Sequence, residues 1–243
     1  EQARALAPGG QEITSDKRIK AALPTIKYAL EQGAGLVMAS HCGRPKGKPN
    51  PEMSLKPVAA KLSELLGKPV KMAPDCIGPD VARLVADMQE CDILLLENLR
   101  FYPGEQKADP SFAEQLSRLA DVYVNDAFAV SHRAHASIVG VPGYCQEKAA
   151  GFLLQKELDA FHRSLENPVR PLVAIIGGSK VSSKLGALQN MLDKVDRMLI
   201  GGAMANTFLK CQGCKVGNSL VEDELLETAN SFLLKARDKG VNV

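Results

Sequence analysis

The chain has 243 residues, of which 45% are hydrophobic and 24% are charged, so it can form one large domain or two smaller ones with packed cores. Thirty Lys and Arg against 28 Asp and Glu leave a net charge of +2, and only 5% of the residues are aromatic, which disfavours nucleic-acid binding. The longest apolar runs fall far short of the ~20 residues that a membrane span needs. With no export signal visible, we expect a cytoplasmic protein whose six cysteines are reduced.

Apolar runs rich in Val, Ile and Leu alternate along the chain with segments of helical period. Because these runs are apolar throughout, they predict parallel strands that are buried on both faces by helices. The fold class predicted is therefore α/β, a doubly wound parallel sheet with three αβα layers. The predicted strands lie at residues 35–40, 69–72, 92–96, 121–125, 172–177, 197–201 and 241–243.

Helical segments are well signalled between these strands. Residues 54–66 carry one apolar stripe, with Ser54 as a candidate N-cap and Gly67 after the end. Residues 151–166 form a second predicted helix, and residues 222–238 form a third with a similar stripe.

The helix at 151–166 is a plausible connector between two domains. We predict an N-terminal domain at 1–150, an inter-domain helix at 151–168 and a second α/β domain at 169–243. The second domain would hold two complete strands and a third that is cut off at 241–243, whereas a doubly wound domain usually has five or six. Since the first residue is also Glu and not Met, we expect a chain that is truncated at both ends.

Loops after the first-half strands are rich in cationic side chains. Open α/β sheets bind ligands outside the carboxyl ends of their strands, so these loops should converge on one edge. Guanidinium groups suit phosphate or carboxylate, which implies a small, multiply charged anion. The candidates are Arg18 near the start of a helix, and His41, Arg44, Arg100, His132, Arg133 and His135 in the loops.

Two other interpretations of these loops stay open. Each arginine taken alone could be an ordinary solvated surface residue. A metal site built from the three loop histidines is weaker, because the HRAH spacing is not the i, i+4 pair of a helical zinc motif and no acidic partner is close in sequence.

Glycine turns follow the two strands of the second half. In Gly177 to Lys184 such a turn opens a predicted helix, where backbone N–H groups and Lys180 would favour phosphate. The turn at Gly201 and Gly202 would let an adenine or ribose approach the backbone closely. Neither GxxxxGK[ST] nor GxGxxG occurs in the chain, and each glycine pair could simply form a tight βα turn.

Seven segments of the chain carry a more specific signal: SDKRIKAALPTI, SHCGRP, LLLENLRF, VNDAF, SHRAHAS, GGSKVSSK and GGAMANTFLK. In their order and spacing, from about Ile13 to Val243, they resemble phosphoglycerate kinases. The resemblance implies two doubly wound domains joined by a hinge helix, and reversible phosphoryl transfer between ATP and the carboxylate of 3-phosphoglycerate in glycolysis. The implied ligands are 3-phosphoglycerate or 1,3-bisphosphoglycerate, and ATP or ADP with Mg²⁺. We expect a monomer when intact, with no nucleic-acid or membrane partner.

The resemblance also implies roles for individual residues, none of them a metal ligand. Arg18 and Lys180 would act on the transferring phosphoryl group. The triose substrate would be bound by Arg18, His41, Arg44, Arg100 and Arg133, and the nucleotide by Gly178, Lys180, Lys184, Gly201 and Gly202. Three departures from the family pattern, Cys42, Ser179 and Ser183, remove no charged group that the chemistry uses.

Parts of the family pattern do not occur in this sequence. An opening strand with an RVDFN-like motif should precede Glu1, and a GGGDT-like loop should follow Val243. We therefore expect the chain alone to be inactive. The alternatives are a non-catalytic phosphoglycerate-binding or anion-binding module and, disfavoured by the missing GxGxxG, a dehydrogenase.

Overall fold

Parallel strands and the helices between them make up residues 13–243, the part of the chain that the computed structural model describes. The strands are β1 (Leu36–Met38), β2 (Lys71–Met72), β3 (Ile93–Leu95), β4 (Val122–Asn125), β5 (Glu147–Ala150), β6 (Val173–Gly177) and β7 (Arg197–Gly201). The helices are α1 (Lys17–Glu31), α2 (Lys56–Leu66), α3 (Pro79–Ala86), α4 (Pro103–Lys107), α5 (Pro110–Ser117), α6 (Val141–Tyr144), α7 (Phe152–Phe161), α8 (Leu185–Met191), α9 (Met204–Cys211) and α10 (Leu226–Asp238).

Strand β3 is the centre of the first sheet, whose order is β1-β3-β2 with parallel pairing throughout. Its residues are all buried, and successive side chains enter different cores. Leu94 packs in a cluster with residues of α3 and α5, whereas Ile93 and Leu95 pack in a cluster with residues of α1 and α2. Helices thus cover both faces of this sheet, and the predicted α/β class with its αβα layers is confirmed.

Strand β5 was not predicted, because Glu147 and Lys148 interrupt any apolar run and all four of its residues are exposed. It pairs in parallel with β4, with Val122 opposite Glu147. The prediction that every strand is buried on both faces is wrong for β4, where Val122 and Val124 are each 46% exposed.

The same correction applies to β6 and β7, which pair in parallel from Val173 opposite Arg197. Ala174 and Met198 are buried in a core with residues of α8, α9 and α10. Ile175 and Leu199, one residue further along each strand, are 79% and 56% exposed. These helices therefore cover one face of the two-stranded sheet, and its apolar residues alternate between core and solvent.

The structure refines several predicted boundaries. The segment predicted as one helix at 151–166 is α-helical to Phe161 and π-helical over His162–Glu166. Helix α10 is preceded by a 3-10 turn at Asp223–Leu225, and in 241–243 Asn242 makes a single bridge to Arg197 where a strand was predicted. At α2, the Ser54 Oγ accepts the N–H of Lys56 at 3.3 Å, and Gly67 ends the helix at φ +64°.

The chain divides into two compact units, with the boundary inside α7 between Glu157 and Leu158. In the first unit, the start of α7 is fixed by Asp126, whose Oδ1 accepts the N–H groups of Leu153 and Leu154 at 2.8 and 3.1 Å. Among residues 13–243, none of the helices is both long and apolar enough to cross a bilayer.

Candidate functional site

A buried arginine lies at the centre of the predicted anion site in the first unit. Arg100 follows β3, and only 2% of its surface is exposed. Its Nη1 donates to the carbonyl oxygen of Gly43 at 2.9 Å, while its Nε and Nη2 are buried without a hydrogen-bond partner in the described structure. Buried donors without partners are costly, so these two nitrogen atoms are available to an acceptor outside the described residues.

The predicted cationic residues surround Arg100. His41 lies near Arg100 and Arg133, and burial, followed by the charge of Arg100, lowers the pKa of His41 to about 3. Its Nε2 is likewise buried and has no partner within residues 13–243. Burial, then the charges of Arg133 and Arg44, also lowers the pKa of Arg100. The structure therefore places His41, Arg44 and Arg133 near Arg100.

Exposure differs among these side chains. Arg44 is exposed and Arg133 is half-buried, so both can move to meet a ligand. Arg18 lies in the first turn of α1, where Asp16 and Lys20 form an ion pair of 2.9 Å. The part that Arg18 plays in substrate binding stays a prediction.

Two residues that sequence reasoning did not select hold these loops in place. Asn98 is fully buried, and its Nδ2 donates to the carbonyl oxygens of Cys42 and Met53 at 2.6 and 2.9 Å. Its Oδ1 accepts the N–H of Arg100 at 3.0 Å. The neighbouring Glu97 accepts the N–H of Leu55 at 2.9 Å, which ties the same loop to the start of α2. Their signal in the sequence was two polar residues directly after a fully apolar strand.

A third missed residue, Glu105 of α4, is 2% exposed beside the site. Its carboxylate accepts hydrogen bonds from the N–H and the hydroxyl of Ser137 at 3.0 and 2.6 Å, and lies 3.5 Å from His135 Nδ1. Burial lowers the pKa of His135, and Glu105 opposes that shift.

The third loop histidine, His132, is bound to a neighbouring arginine: its Nε2 accepts a hydrogen bond from Nε of Arg133 at 3.3 Å. In the described ranges no three His, Cys, Asp or Glu are grouped to hold a metal ion, so the three-histidine site gains no support.

Glycines allow the two loops of the second unit to pack backbone against backbone. Gly202 has φ +73°, and a Cβ there would lie 2.7 Å from the carbonyl oxygen of Gly178. That oxygen accepts the N–H of Met204 at 3.0 Å. Gly202 is thus required by the contact between the loops after β6 and β7. A Cβ at Gly201 would meet nothing within 4 Å, so the approach of a ligand there stays a prediction.

The loop from Gly178 to Lys184 differs from the phosphate-binding turn that the sequence predicted. The N–H groups of Val181 and Ser182 donate to Glu222 at 2.5 and 3.2 Å, so these two donors are already used. Lys180 and Lys184 are both exposed before α8, a helix of seven residues. A phosphate at this loop would therefore be bound by lysine side chains and not by the N–H groups of Val181 and Ser182.

The phosphoglycerate kinase family model matches residues 6–243. The chain belongs to the phosphoglycerate kinase family. A phosphoglycerate kinase of Desulfotalea psychrophila is 60% identical over 233 residues, which are 96% of this chain and 59% of that protein. One from Desulforapulum autotrophicum is 58% identical over 231 residues, 95% of this chain and again 59% of the relative. The chain thus spans about 59% of the length of these curated relatives.

Solved phosphoglycerate kinases share the fold. The structure from Coxiella burnetii has a TM-score of 0.88 at 44% identity, covering 98% of this chain and 60% of that one. The structure from Pyrococcus horikoshii has a TM-score of 0.79 at 30% identity, covering 99% of this chain and 62% of that one. The family assignment made from the seven segments is confirmed by sequence and by structure.

Proposed function

We propose that this chain carries the 3-phosphoglycerate site and part of the nucleotide site of a phosphoglycerate kinase. The observation that carries the proposal is the buried Arg100, with two guanidinium nitrogens that have no partner in the described structure and with His41 and Arg133 nearby. Such donors fit the phosphate or carboxylate of a small anion. The reaction would move a phosphoryl group reversibly between ATP and the carboxylate of 3-phosphoglycerate, which gives 1,3-bisphosphoglycerate.

The chemistry places few demands on proton transfer. The accepting carboxylate is already ionised at neutral pH, so the reaction needs no general base. Positively charged groups must hold two anions together and stabilise the equatorial oxygens of a loose transition state. Arg44, Arg100 and Arg133 would bind the triose, while Arg18 and Lys180 would face the transferred group. His41, held neutral by burial, would exchange a hydrogen bond with the substrate without adding charge.

Nucleotide phosphates would be met in the second unit by Lys180 and Lys184, both of which are exposed. Residues 13–243 contain no group of three metal-ligating side chains, and Mg²⁺ in kinases is commonly held by one or two carboxylates together with the phosphates. We propose that Mg²⁺ enters with the nucleotide, and we assign no step to it. We propose that the intact protein is a monomer in the reducing cytoplasm, and the free thiols at all six cysteines support a reducing compartment.

Calorimetric titration of the chain with 3-phosphoglycerate tests the substrate site. Arg100→Met should abolish measurable binding, because methionine keeps the apolar stem and removes every donor. Arg83→Ala is the control, since Arg83 is exposed on α3 beside Asp80. Unchanged affinity in the Arg100 variant would refute the site.

A coupled ATP-consumption assay separates a kinase from a binding module. It compares this chain with a form extended to the length of its relatives, and with that form carrying Lys180→Ala. A kinase requires turnover by the extended form and a loss of about 10²–10³ in kcat in the variant, as for other donors aimed at developing charge. Substrate binding without turnover by the extended form would favour the binding module.

A further inference from the structure

The carboxylate of Glu222 holds the loop that carries both lysines of the second unit. It accepts hydrogen bonds from the N–H of Val181 at 2.5 Å, and from the N–H and the hydroxyl of Ser182 at 3.2 and 2.6 Å. The residues that it holds stand between Lys180 and Lys184 in the sequence. Glu222 therefore fixes the backbone at the middle of the lysine loop, which we define as residues 180–184.

Glu222 is itself hydrogen-bonded to α9, a helix that packs in the core of the second unit. Its N–H donates at 3.2 Å to Oγ1 of Thr207, which belongs to α9 and is 1% exposed. The next residue, Asp223, pairs with Lys210 of the same helix at 2.7 Å. The lysine loop is thus connected through Glu222 to α9, whose Met204 and Phe208 lie in the core of the second unit.

Loss of the carboxylate would leave the lysine loop without its anchor. Val181 is fully buried, so its N–H would lose its partner away from water, which a protein avoids by rearranging the backbone. The hydrogen bonds from Ser182 lower the pKa of Glu222, so the group is an acceptor at neutral pH. The positive charge of nearby Lys180 makes a smaller contribution to the lowered pKa of Glu222.

We propose that Glu222 is a positioning residue for nucleotide binding, which holds the lysine loop so that Lys180 and Lys184 are presented together to the phosphates. The inference rests on the proposed function, because it gives those lysines a nucleotide to bind. A different role would be competition, in which the carboxylate occupies N–H groups that a phosphate would otherwise use. The geometry favours positioning, since Val181 is buried and its N–H is directed to an internal partner.

The test compares Glu222→Ala with Glu224→Ala in the form extended to the length of its relatives. Alanine removes both acceptor oxygens, whereas glutamine would keep one that could still accept the two N–H groups. Glu224 is exposed two residues away, so its variant removes the same charge from the same segment. Hydrogen exchange at Val181 and Ser182 reports the anchor, and calorimetric titration with MgADP reports the lysines. In Glu222→Ala we expect exchange protection at both amides and ADP affinity to fall by at least about tenfold, while Glu224→Ala stays within about twofold of wild type.

Ser182→Ala is a milder variant in case Glu222→Ala does not fold. It removes one of three hydrogen bonds to the carboxylate, so ADP affinity should fall by about threefold, and unchanged affinity would count against the inference. Lost protection in Glu222→Ala with unchanged ADP affinity would overturn the positioning role and leave the proposed function standing. Tighter ADP binding in that variant would instead establish competition. No ADP binding by the extended form without substitutions would remove the proposed nucleotide role, and the inference with it.

Discussion

The Nδ2 of Asn98 donates to the carbonyl oxygen of Cys42 at 2.6 Å, a buried bond between residues 56 apart in sequence. Asn98 follows β3 and Cys42 follows β1, so the bond joins the two loops that carry Arg100 and His41. Both loops leave the same edge of a parallel sheet. The geometry of the candidate anion site thus depends on a side chain that need not touch the ligand.

Replacing Asn98 by Ala should weaken both the fold and the site. The carbonyl oxygens of Cys42 and Met53 would lose a buried donor, at a cost of about 2–4 kcal/mol in the free energy of unfolding. Urea denaturation measures this cost. The control is Asn50→Ala, because the Asn50 side chain accepts the N–H of Glu52 in an exposed turn and its loss should cost about 1 kcal/mol or less. Equal losses in the two variants would contradict the role of Asn98.

Arg44→Ala and Arg133→Ala should each weaken 3-phosphoglycerate binding by about 1.5–3 kcal/mol, the usual range for a hydrogen bond to a charged group. Binding should also weaken as salt is added, more strongly for wild type than for either variant, because each variant has lost one screened charge. Calorimetry at two ionic strengths measures both effects. If both variants bind as tightly as wild type, the arginines are ordinary surface residues.

Sequence patterns predicted those parts of the molecule that local composition determines. The apolar run of β3 and the stripe of α2 predicted these two elements, and the cations after strands predicted the residues that lie near Arg100. Strand β5 was missed because its polar residues are held by backbone pairing with β4 and not by side-chain burial. Glu222 was missed because it is 41 residues from Val181, and only the fold brings the two together.

Stability should depend on pH through His41. Its pKa is about 3 in the fold against an ordinary value near 6.5, so below pH 6.5 the unfolded chain takes up a proton that the folded chain does not. The free energy of unfolding should therefore fall as pH falls from 6.5 towards 3, by about 2 kcal/mol at pH 5. His41→Gln removes this proton, so the difference between the two proteins should shrink as pH falls from 7.5 to 5. Parallel stability curves over that range would show that His41 titrates normally.

The Cys211 and Cys214 pair should behave as two independent thiols. Cys211 donates to the carbonyl oxygen of Phe208 at 3.1 Å at the end of α9, and burial raises the pKa of its thiol. Cys214 is exposed. Alkylation should therefore modify Cys214 before Cys211, as mass spectrometry of the peptides would show, and Cys214→Ser should remove the fast phase. One equivalent of zinc retained after purification would require a metal site instead.

The uncovered face of β6 and β7 should make the chain associate. Ile175 and Leu199 are 79% and 56% exposed on one face of a two-stranded sheet, and Val173, on the same face, is 42% exposed. Exposed apolar faces and unpaired strand edges favour contact with other copies as concentration rises. Ile175→Lys introduces a charge at the centre of this face and should lower the apparent mass at high concentration, as measured by sedimentation velocity over a tenfold range. Val139→Lys is the matched control, since Val139 is 52% exposed in the first unit and away from any sheet. Association that persists in Ile175→Lys, or that Val139→Lys lowers equally, would place the contact elsewhere on the surface.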